Sequence, residues 1–392
     1  MYFKKLRLKY TNNKPAKNAS NKWIINVLLK RNLKKFIIKI LPKDNKSMSL
    51  RINFKCNTFA KSFLMGKKVV GIAMGGYSSE REISLESGNT VYKSLPQSRW
   101  KCYRILVDRD SWTVVDSQEK HYPLNLENFS FKMDEKNIHF DVIFNSIHGA
   151  PGENGQLAEI LDQLHIPHTS CSQNIAALTF NKRDCLEKAK EWKIPMAKSF
   201  TFDQGDFLDV DAIEEKVGLP CFVKPNRSGS SYGIVKVYEK IALKEAVKTA
   251  LKEDAQLIIE TALVGVEISV GAYVLNDEVI VLPITEIISE NDFFDYDAKY
   301  NGKSQEITPA RLDDTTISKV HSTVKKLYHQ LGLKGICRSE FIIVDGTPHL
   351  LEVNTIPGLT KASLIPQQIR VAGIELADFF DTLLSEAMKT HK

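Results

Sequence analysis

Residues 338–366, RSEFIIVDGTPHLLEVNTIPGLTKASLIP, constrain the fold of this chain more than any other stretch. Two short apolar runs, residues 341–344 and 349–353, flank Asp345-Gly346, a pair that suits the tight turn of a β-hairpin. Strand pairing then gathers Glu340, just before the first run, with Glu352 and Asn354, which close the second. Three oxygen-donor side chains at one place suit Mg²⁺, which takes hard oxygen ligands, often one or two carboxylates plus the phosphates of a nucleotide. A lone E-x-N on a hairpin is most simply a solvated edge. Here Arg338 precedes it and IPGLTKAS follows, adding a cation for a phosphoryl group and backbone donors for an anion.

The chain's 392 residues suggest two or three domains, and 43% hydrophobic content is ample for buried cores. No run of about 18 apolar residues occurs, so no helical membrane span is expected. Six scattered cysteines (Cys56, Cys102, Cys171, Cys185, Cys221, Cys337) form no C-x-x-C pair. That pattern fits reduced thiols in a cytoplasmic protein better than a zinc site or a disulfide scaffold.

The net charge of +7 sums two unlike pieces. Residues 1–65 carry 17 Lys and Arg against one acid, Asp44, a net of +16 that leaves −9 for the rest. Within this basic arm, residues 23–41 (WIINVLLKRNLKKFIIKIL) are expected to form an amphipathic basic helix. A nucleic-acid or anionic-membrane tether and a targeting peptide are the functional readings. Lys30, Arg31, Lys34 and Lys35 interrupt the apolar stretch, against a secretory signal. The plainer reading, adopted here, is that Met65 is the natural start and that Lys-, Asn- and Ile-rich residues 1–65 are upstream sequence read in frame, poorly ordered.

Residues 67–74 (KKVVGIAM) have the pattern of a buried strand, followed by Gly75-Gly76-Tyr77-Ser78-Ser79-Glu80-Arg81-Glu82 and helical spacing in ISLESGNTVYKSL. A strand, a glycine turn and a helix open an α/β unit and expose backbone N–H groups at the helix start. A second strand, residues 140–145, ends in the loop His148-Gly149-Ala150-Pro151-Gly152-Glu153-Asn154-Gly155 before a helix, QLAEILDQL. A histidine at a strand end is, by itself, more often structural than functional. Residues 179–190 read as one helix carrying Lys182, and residues 220–224 as a strand delivering Lys224 into PNRSGSSYG. The loop Ser228-Gly229-Ser230-Ser231-Tyr232-Gly233 can fold over phosphates with its N–H groups, although it lacks the GK[ST] of a Walker loop. Residues 257–260 (LIIE) form a strand ending at Glu260, and residues 292–300 (DFFDYDAKY) a polar, aromatic loop.

Taken in order over roughly residues 66–390, GGYSSEREISLESG, the H-G…G-E-x-G loop, VKP…SGSS-G, DFFDYDAKY and LEVNTIPGLT resemble the D-alanine–D-alanine ligases of the ATP-grasp family. The resemblance implies an α/β and α+β chain of three-domain ATP-grasp architecture with a Rossmann-like N-terminal domain. Residues 66–170 would form that substrate domain, 171–260 the central subdomain, and 261–392 the C-terminal subdomain with the metal site and a mobile loop. It implies ligation of two D-alanines through an acyl phosphate for peptidoglycan precursor synthesis, with ATP as substrate and two Mg²⁺ or Mn²⁺ ions per site. It also implies a cytoplasmic homodimer with no nucleic-acid partner. Alternatives are a D-alanine–D-lactate or other amino-acid ligase of the same fold, and a non-catalytic nucleotide-binding protein tethered by the basic arm.

Carried over residue by residue, the resemblance puts Glu80 on the ammonium of the first D-alanine and His148 near its carboxylate. Ser363 and the N–H of Leu364 would take the carboxylate of the second. Lys182, Lys224, Ser230, Ser231 and Lys299 would meet the nucleotide phosphates. Glu260 and the backbone through Leu263 would meet adenine, and Glu267 the ribose. Tyr300 would bond to the Glu80/Ser230 pair, Arg338 and the Gly358 N–H would form the oxyanion site, and Glu340, Glu352 and Asn354 would hold the metal ions. Three positions depart from the common pattern: Thr261 stands where a base is frequent, Phe294 where Tyr is, and Glu340 where Asp is.

Overall fold

The computed structural model describes residues 23–27, 36–40, 66–229, 231–289 and 304–390. The chain separates into two units, Met1–Gly66 and Lys67–Lys392. In the first, strands β1 (Trp23–Val27) and β2 (Phe36–Ile40) pair antiparallel, Trp23 opposite Ile40 and Val27 opposite Phe36. This corrects the expected amphipathic helix over residues 23–41. WIINV and FIIKI are dominated by β-branched residues, whose stiff χ1 favours extended backbone.

The second unit has three layers. In the N-terminal layer, β3 (Lys68–Gly75) runs parallel to β4 (Trp100–Val107) and to β9 (Val142–Asn145). Parallel neighbours need a crossover, here helix α1 (Arg81–Ser94) between β3 and β4. Strands β5 (Trp112–Val115) and β6 (His121–Pro123) extend one edge antiparallel, and β7 (Ser130–Met133) and β8 (Lys136–His139) form a separate hairpin. Gly75 and Gly76 both have φ near +98°, and a Cβ on Gly76 would stand 2.9 Å from Ala150 O. Glycine therefore lets the first loop lie against the second. Ser84 of α1 ties them further, accepting from Gly75 N–H at 2.9 Å and donating to Ser146 O at 2.8 Å.

Helix α2 (Gln156–Gln163) follows, and then the single helix expected around Lys182 divides in two, α3 (Gln173–Phe180) and α4 (Lys182–Glu191). Asn181 lies between them with extended backbone and caps α4 by accepting from Asp184 N–H. The family resemblance placed residues 171–260, these helices included, in the central subdomain. Instead Ala176, Cys185, Leu186 and Ala189 pack into the core of the C-terminal layer with Ile268, Phe341 and Leu350. The division between the two layers therefore falls near Ser199, where the central sheet begins, rather than at residue 171.

The central sheet contains β10 (Ser199–Asp203), β11 (Cys221–Pro225), β12 (Val235–Val237) and β13 (Gln256–Thr261), all antiparallel in the order β10-β13-β11-β12. Helices α5 (Val210–Val217) and α6 (Leu243–Ala250) cover one face. The alternation in LIIE sends Leu257 and Ile259 into that core and Glu260 to the opposite face.

The C-terminal sheet is centred on β14 (Val266–Leu275), paired with β15 (Glu278–Val281) and β16 (Thr285–Ser289) and continued by β17 (Ser304–Ile307). On its other side lie β18 (Cys337–Val344) and β19 (Thr347–Asn354). Helix α7 (Asp314–Leu331) starts at an Asp313 cap, and α8 (Leu364–Val371) and α9 (Leu376–Thr390) end the chain. Phe379 and Phe380 of α9 are buried against Val70, Ile72 and Phe144 of the N-terminal sheet, with the Phe144 and Phe380 rings 5.6 Å apart and nearly perpendicular. Among the described residues no helix is long and apolar enough to cross a membrane.

The hydrophobic cores of the described residues all lie beyond Lys67. A protein beginning at Met65 is therefore expected to melt within a few degrees of the full chain. A large drop in its melting temperature would show that residues 1–64 contribute to the folded core.

Candidate active site

The β18–β19 hairpin turns at Asp345 and Gly346, with φ of +48° and +66°. Two consecutive positive values are the signature of the tight primed turn that Asp-Gly favours. That turn sets the register: Arg338 lies opposite Asn354, and Glu340 opposite Glu352. Side chains two apart share a face, so all four lie on one side of the hairpin. A bulge follows directly, between Glu340 and Phe341, where such irregularities often re-aim side chains beside a site.

Glu340 is only 5% exposed, and its Oε1 sits 2.6 Å from Arg338 Nη2. The contact is an ion pair without the alignment of a hydrogen bond, since Glu340 Oε1 has no hydrogen-bond partner among the described residues. Glu352 Oε2 lies 3.2 Å from Lys182 Nζ, which also donates to Ser228 O at 2.7 Å. Burial works against the Lys182 charge, but Glu352, with Glu153 and Glu260 behind it, holds its pKa above the ordinary lysine value. The first residue of α4 thereby reaches from the central region to the metal-type hairpin. Across the cleft, Lys224 Nζ is 2.7 Å from Glu260 Oε2, while the buried Glu260 Oε1 has no hydrogen-bond partner among the described residues.

Two adjoining clefts share Lys182, Ser228, Gly229 and Glu352. The first is walled by Glu80, His148, Arg338 and Asn354, with Gly358, Ser363 and Leu364 at its far end. The second is walled by Lys224, Ser231, Glu260 and Leu263, with Glu267 and Glu340. The first has a volume of about 130 Å³ and the second about 470 Å³, so the second is the one of a size for a nucleotide. The expected site residues therefore converge on one connected cavity, apart from Ser230, Lys299 and Tyr300. Those three, with Phe294, lie outside the described residues.

Gly229 brings the central layer against Glu80 of the N-terminal one. A Cβ there would come within 2.3 Å of Glu80 Oε2. Gly229→Ala is accordingly expected to displace Glu80 and lower turnover by about tenfold or more. Normal turnover with unchanged D-alanine KM would mean that the Glu80 carboxylate has freedom to move aside.

Ser363 begins α8, yet its hydroxyl makes no cap bond to that helix; it accepts from Thr360 N–H at 3.1 Å. The first-turn N–H groups of α8 remain uncapped by that side chain and suit a carboxylate. A Cβ on Gly358 would lie 2.7 Å from Ser363 Oγ, so this turn tolerates no side chain at Gly358 without a shift. The Thr261 hydroxyl donates to Val217 O at 2.6 Å, which ties that departure from the family pattern into the central layer.

Three further polar residues belong to this region. Glu153 lines the first cleft and accepts from Gly149 N–H at 2.9 Å. Burial, with Glu80 and Glu352 nearby, pushes its carboxyl up to about 8, so it keeps its proton at neutral pH. Its signal was visible as the acid of the G-E-x-G string. Glu306 lines the same cleft and accepts from Gln367 Nε2; no motif pointed to it. Ser87, wholly buried, meets His148; it stands in the GGYSSEREISLESG string, i,i+3 from Ser84 on the inner face of α1, without a role read from it.

Residues 69–171 match the family description "D-ala D-ala ligase N-terminus", and residues 189–385 match "D-ala D-ala ligase C-terminus". A D-alanine–D-alanine ligase of Flavobacterium johnsoniae is 50% identical over 313 residues, covering 80% of this chain and 97% of that protein. One from Christiangramia forsetii is 47% identical over 322 residues, covering 82% and 99%. Among solved structures, the VanG D-Ala:D-Ser ligase from Enterococcus faecalis superposes with a TM-score of 0.72 at 28% identity, covering 82% of this chain and 99% of that one. The fold and the cleft define an ATP-grasp ligase. More narrowly, the chain belongs to the D-alanine–D-alanine ligase family.

Proposed function

We propose that this protein joins two D-alanines into D-alanyl-D-alanine, using ATP, as a step toward a peptidoglycan precursor. The observation that carries the reading is the single cavity in which Glu80, Lys182, Arg338 and Glu352 meet, with anion donors at the start of α8. A carboxylate is a poor electrophile toward an amine. Transfer of the γ-phosphoryl group of ATP to the carboxylate of the first D-alanine would give an acyl phosphate and ADP. The amine of the second would then attack that carbonyl, lose a proton and expel phosphate as the peptide bond forms.

Each group has a distinct part in this scheme. Glu80 would bind the first ammonium, and His148 would stand near the carboxylate of the same D-alanine at that end of the cleft. Lys182 and Lys224, with Ser231 and the loop residues Ser230 and Lys299, would offset phosphate charge. Glu260, Leu263 and Glu267 would hold adenosine. Arg338 and the Gly358 N–H would stabilise the oxyanion, a donor of this kind being worth about 3 kcal/mol. Ser363 and Leu364 would take the second carboxylate, and Tyr300 would close over the Glu80/Ser230 pair.

The donor set suits Mg²⁺ or Mn²⁺. No group of three or more His, Cys, Asp or Glu gathers among the described residues. Glu340, Glu352 and Asn354 would therefore share two ions with the nucleotide phosphates, the manner in which Mg²⁺ is usually held. When bound, such ions lower the negative charge that repels a nucleophile from phosphate oxygens. A homodimer and a cytoplasmic location are proposed with this reading. The family resemblance supports both, and the unpaired state of five described cysteines supports the second.

The test is incubation with ATP, Mg²⁺ and D-alanine, with D-lactate and D-serine as competing second substrates. D-Alanyl-D-alanine formed with one phosphate per dipeptide is the expected result. ATP binding with no dipeptide would sink the reading, and preferential formation of a mixed product would redirect it.

A further inference from the structure

Both ring nitrogens of His148 are engaged within the protein. Nδ1 lies 2.8 Å from Ile356 O, and Nε2 lies 3.2 Å from Ser87 Oγ. A carbonyl oxygen only accepts, so Nδ1 carries the proton. Burial holds the ring below its usual pKa, against the pull of Glu80, so the neutral form prevails and Nε2 accepts from the Ser87 hydroxyl. Ser87 Oγ in turn accepts from Leu359 N–H at 3.1 Å. The chain of contacts is closed: Leu359 N–H to Ser87, Ser87 to His148, His148 to Ile356 O. Ser87 is 0% exposed and His148 5%, with Ile356 and Leu359 buried beside them.

These two side chains come from the N-terminal layer, one from α1 and one from the loop after β9. The backbone they grip lies more than 200 residues later, and the two points of grip bracket Gly358. Asn354 Oδ1 holds the near end of the same segment by accepting from Ile356 N–H at 2.9 Å. From the far side, Ser363 crowds Gly358. Fixed at 356 and 359, the intervening peptide has little room to rotate, and the direction of the Gly358 N–H follows.

We infer that Ser87 and His148 act together as positioning residues, a polar clamp by which the N-terminal layer sets the backbone of residues 356–359 for turnover. Ser87 thereby acquires a role that a buried helix serine would not otherwise have. His148 acts through the loop rather than by donating to substrate, because neither nitrogen is left to do so. The inference rests on the assignment of Gly358 to the oxyanion site.

The test uses the full chain with Ser87→Ala, His148→Asn and the double variant. Asparagine keeps an N–H near the place of Nδ1 but loses the contact with Ser87. Amide hydrogen exchange of residues 356–359 reads the clamp without reference to activity. Steady-state kinetics reads its consequence, and melting curves check that each variant folds. Ser87→Ala is expected to speed exchange in that segment about tenfold and to lower kcat by about 10- to 100-fold, the scale of a displacement near 1 Å. KM for ATP should stay within about twofold. The double variant should be no slower than Ser87→Ala alone, because both changes act on one segment.

Unchanged exchange in Ser87→Ala would overturn the clamp itself. Faster exchange with unchanged kcat would overturn its positioning role by way of the Gly358 assignment. A rise in D-alanine KM confined to His148→Asn, with losses that multiply in the double variant, would overturn the joint action and return His148 to direct substrate binding.

Discussion

A Glu352→Gln protein is expected to fold normally and to form dipeptide at least about 100-fold more slowly. The substitution is nearly isosteric and removes one negative charge from the face that also carries Glu340 and Asn354. Glu352 is partly exposed, with 29% of its side chain accessible, so its neutral form costs the fold little. Lys182 loses its strongest partner but keeps Ser228 O at 2.7 Å and the nearby Glu260. What is lost is a hard anionic oxygen at the point where the two clefts join. Measurement of dipeptide at saturating ATP, beside a melting curve, separates chemistry from stability. A near-normal rate would remove Glu352 from the proposed metal set.

Arg338→Met is expected to be more damaging in two separable ways. The first is kinetic: loss of a cation aimed at developing charge should lower kcat by about 1000-fold. The second concerns the fold, because Glu340 is almost fully buried and Arg338 Nη2 is 2.6 Å from it. Removing one partner of a buried pair leaves an uncompensated charge, at a cost of about 3–5 kcal/mol. Glu340→Gln in the same protein removes that charge and should restore most of the stability while leaving the rate low. Denaturation curves and kcat measured on the single and double variants decide the matter. Recovery of rate together with stability would make Arg338 a structural partner of Glu340 and nothing more.

Local patterns in the sequence carried much of the site. Asp345-Gly346 specifies a turn, the turn specifies a register, and the register places Glu340 opposite Glu352. GGYSSERE likewise names a strand, a turn and a helix start within a dozen residues. Contacts between distant segments were hidden. Nothing near His148 announces that its partners are Ser87 and Ile356, the second of them 208 positions away. The break at Asn181 was missed because Thr179–Lys190 keeps helical spacing across it, whereas the choice of Asn181 as cap is made by the Asn226 segment against which α4 begins. Only the assembled sheets decide that the apolar residues of α3 and α4 join Phe341 and Leu350. Residues 23–41 mislead for the opposite reason: charge spacing suggested a helix, while the β-branched content of the two five-residue runs favoured strands.

The aromatic seam formed by Phe144, Phe379 and Phe380 has a mechanical consequence. By closing the chain's last helix onto its first sheet, it makes the two outer layers a single frame. The central sheet keeps a core of its own, separate from that seam. A swing of residues 199–261 against that frame would open and shut the second cleft, whose wall the central sheet supplies. Stiffening the seam should leave the rate of ADP release unchanged, whereas a cross-link that holds the central sheet against the frame should slow it.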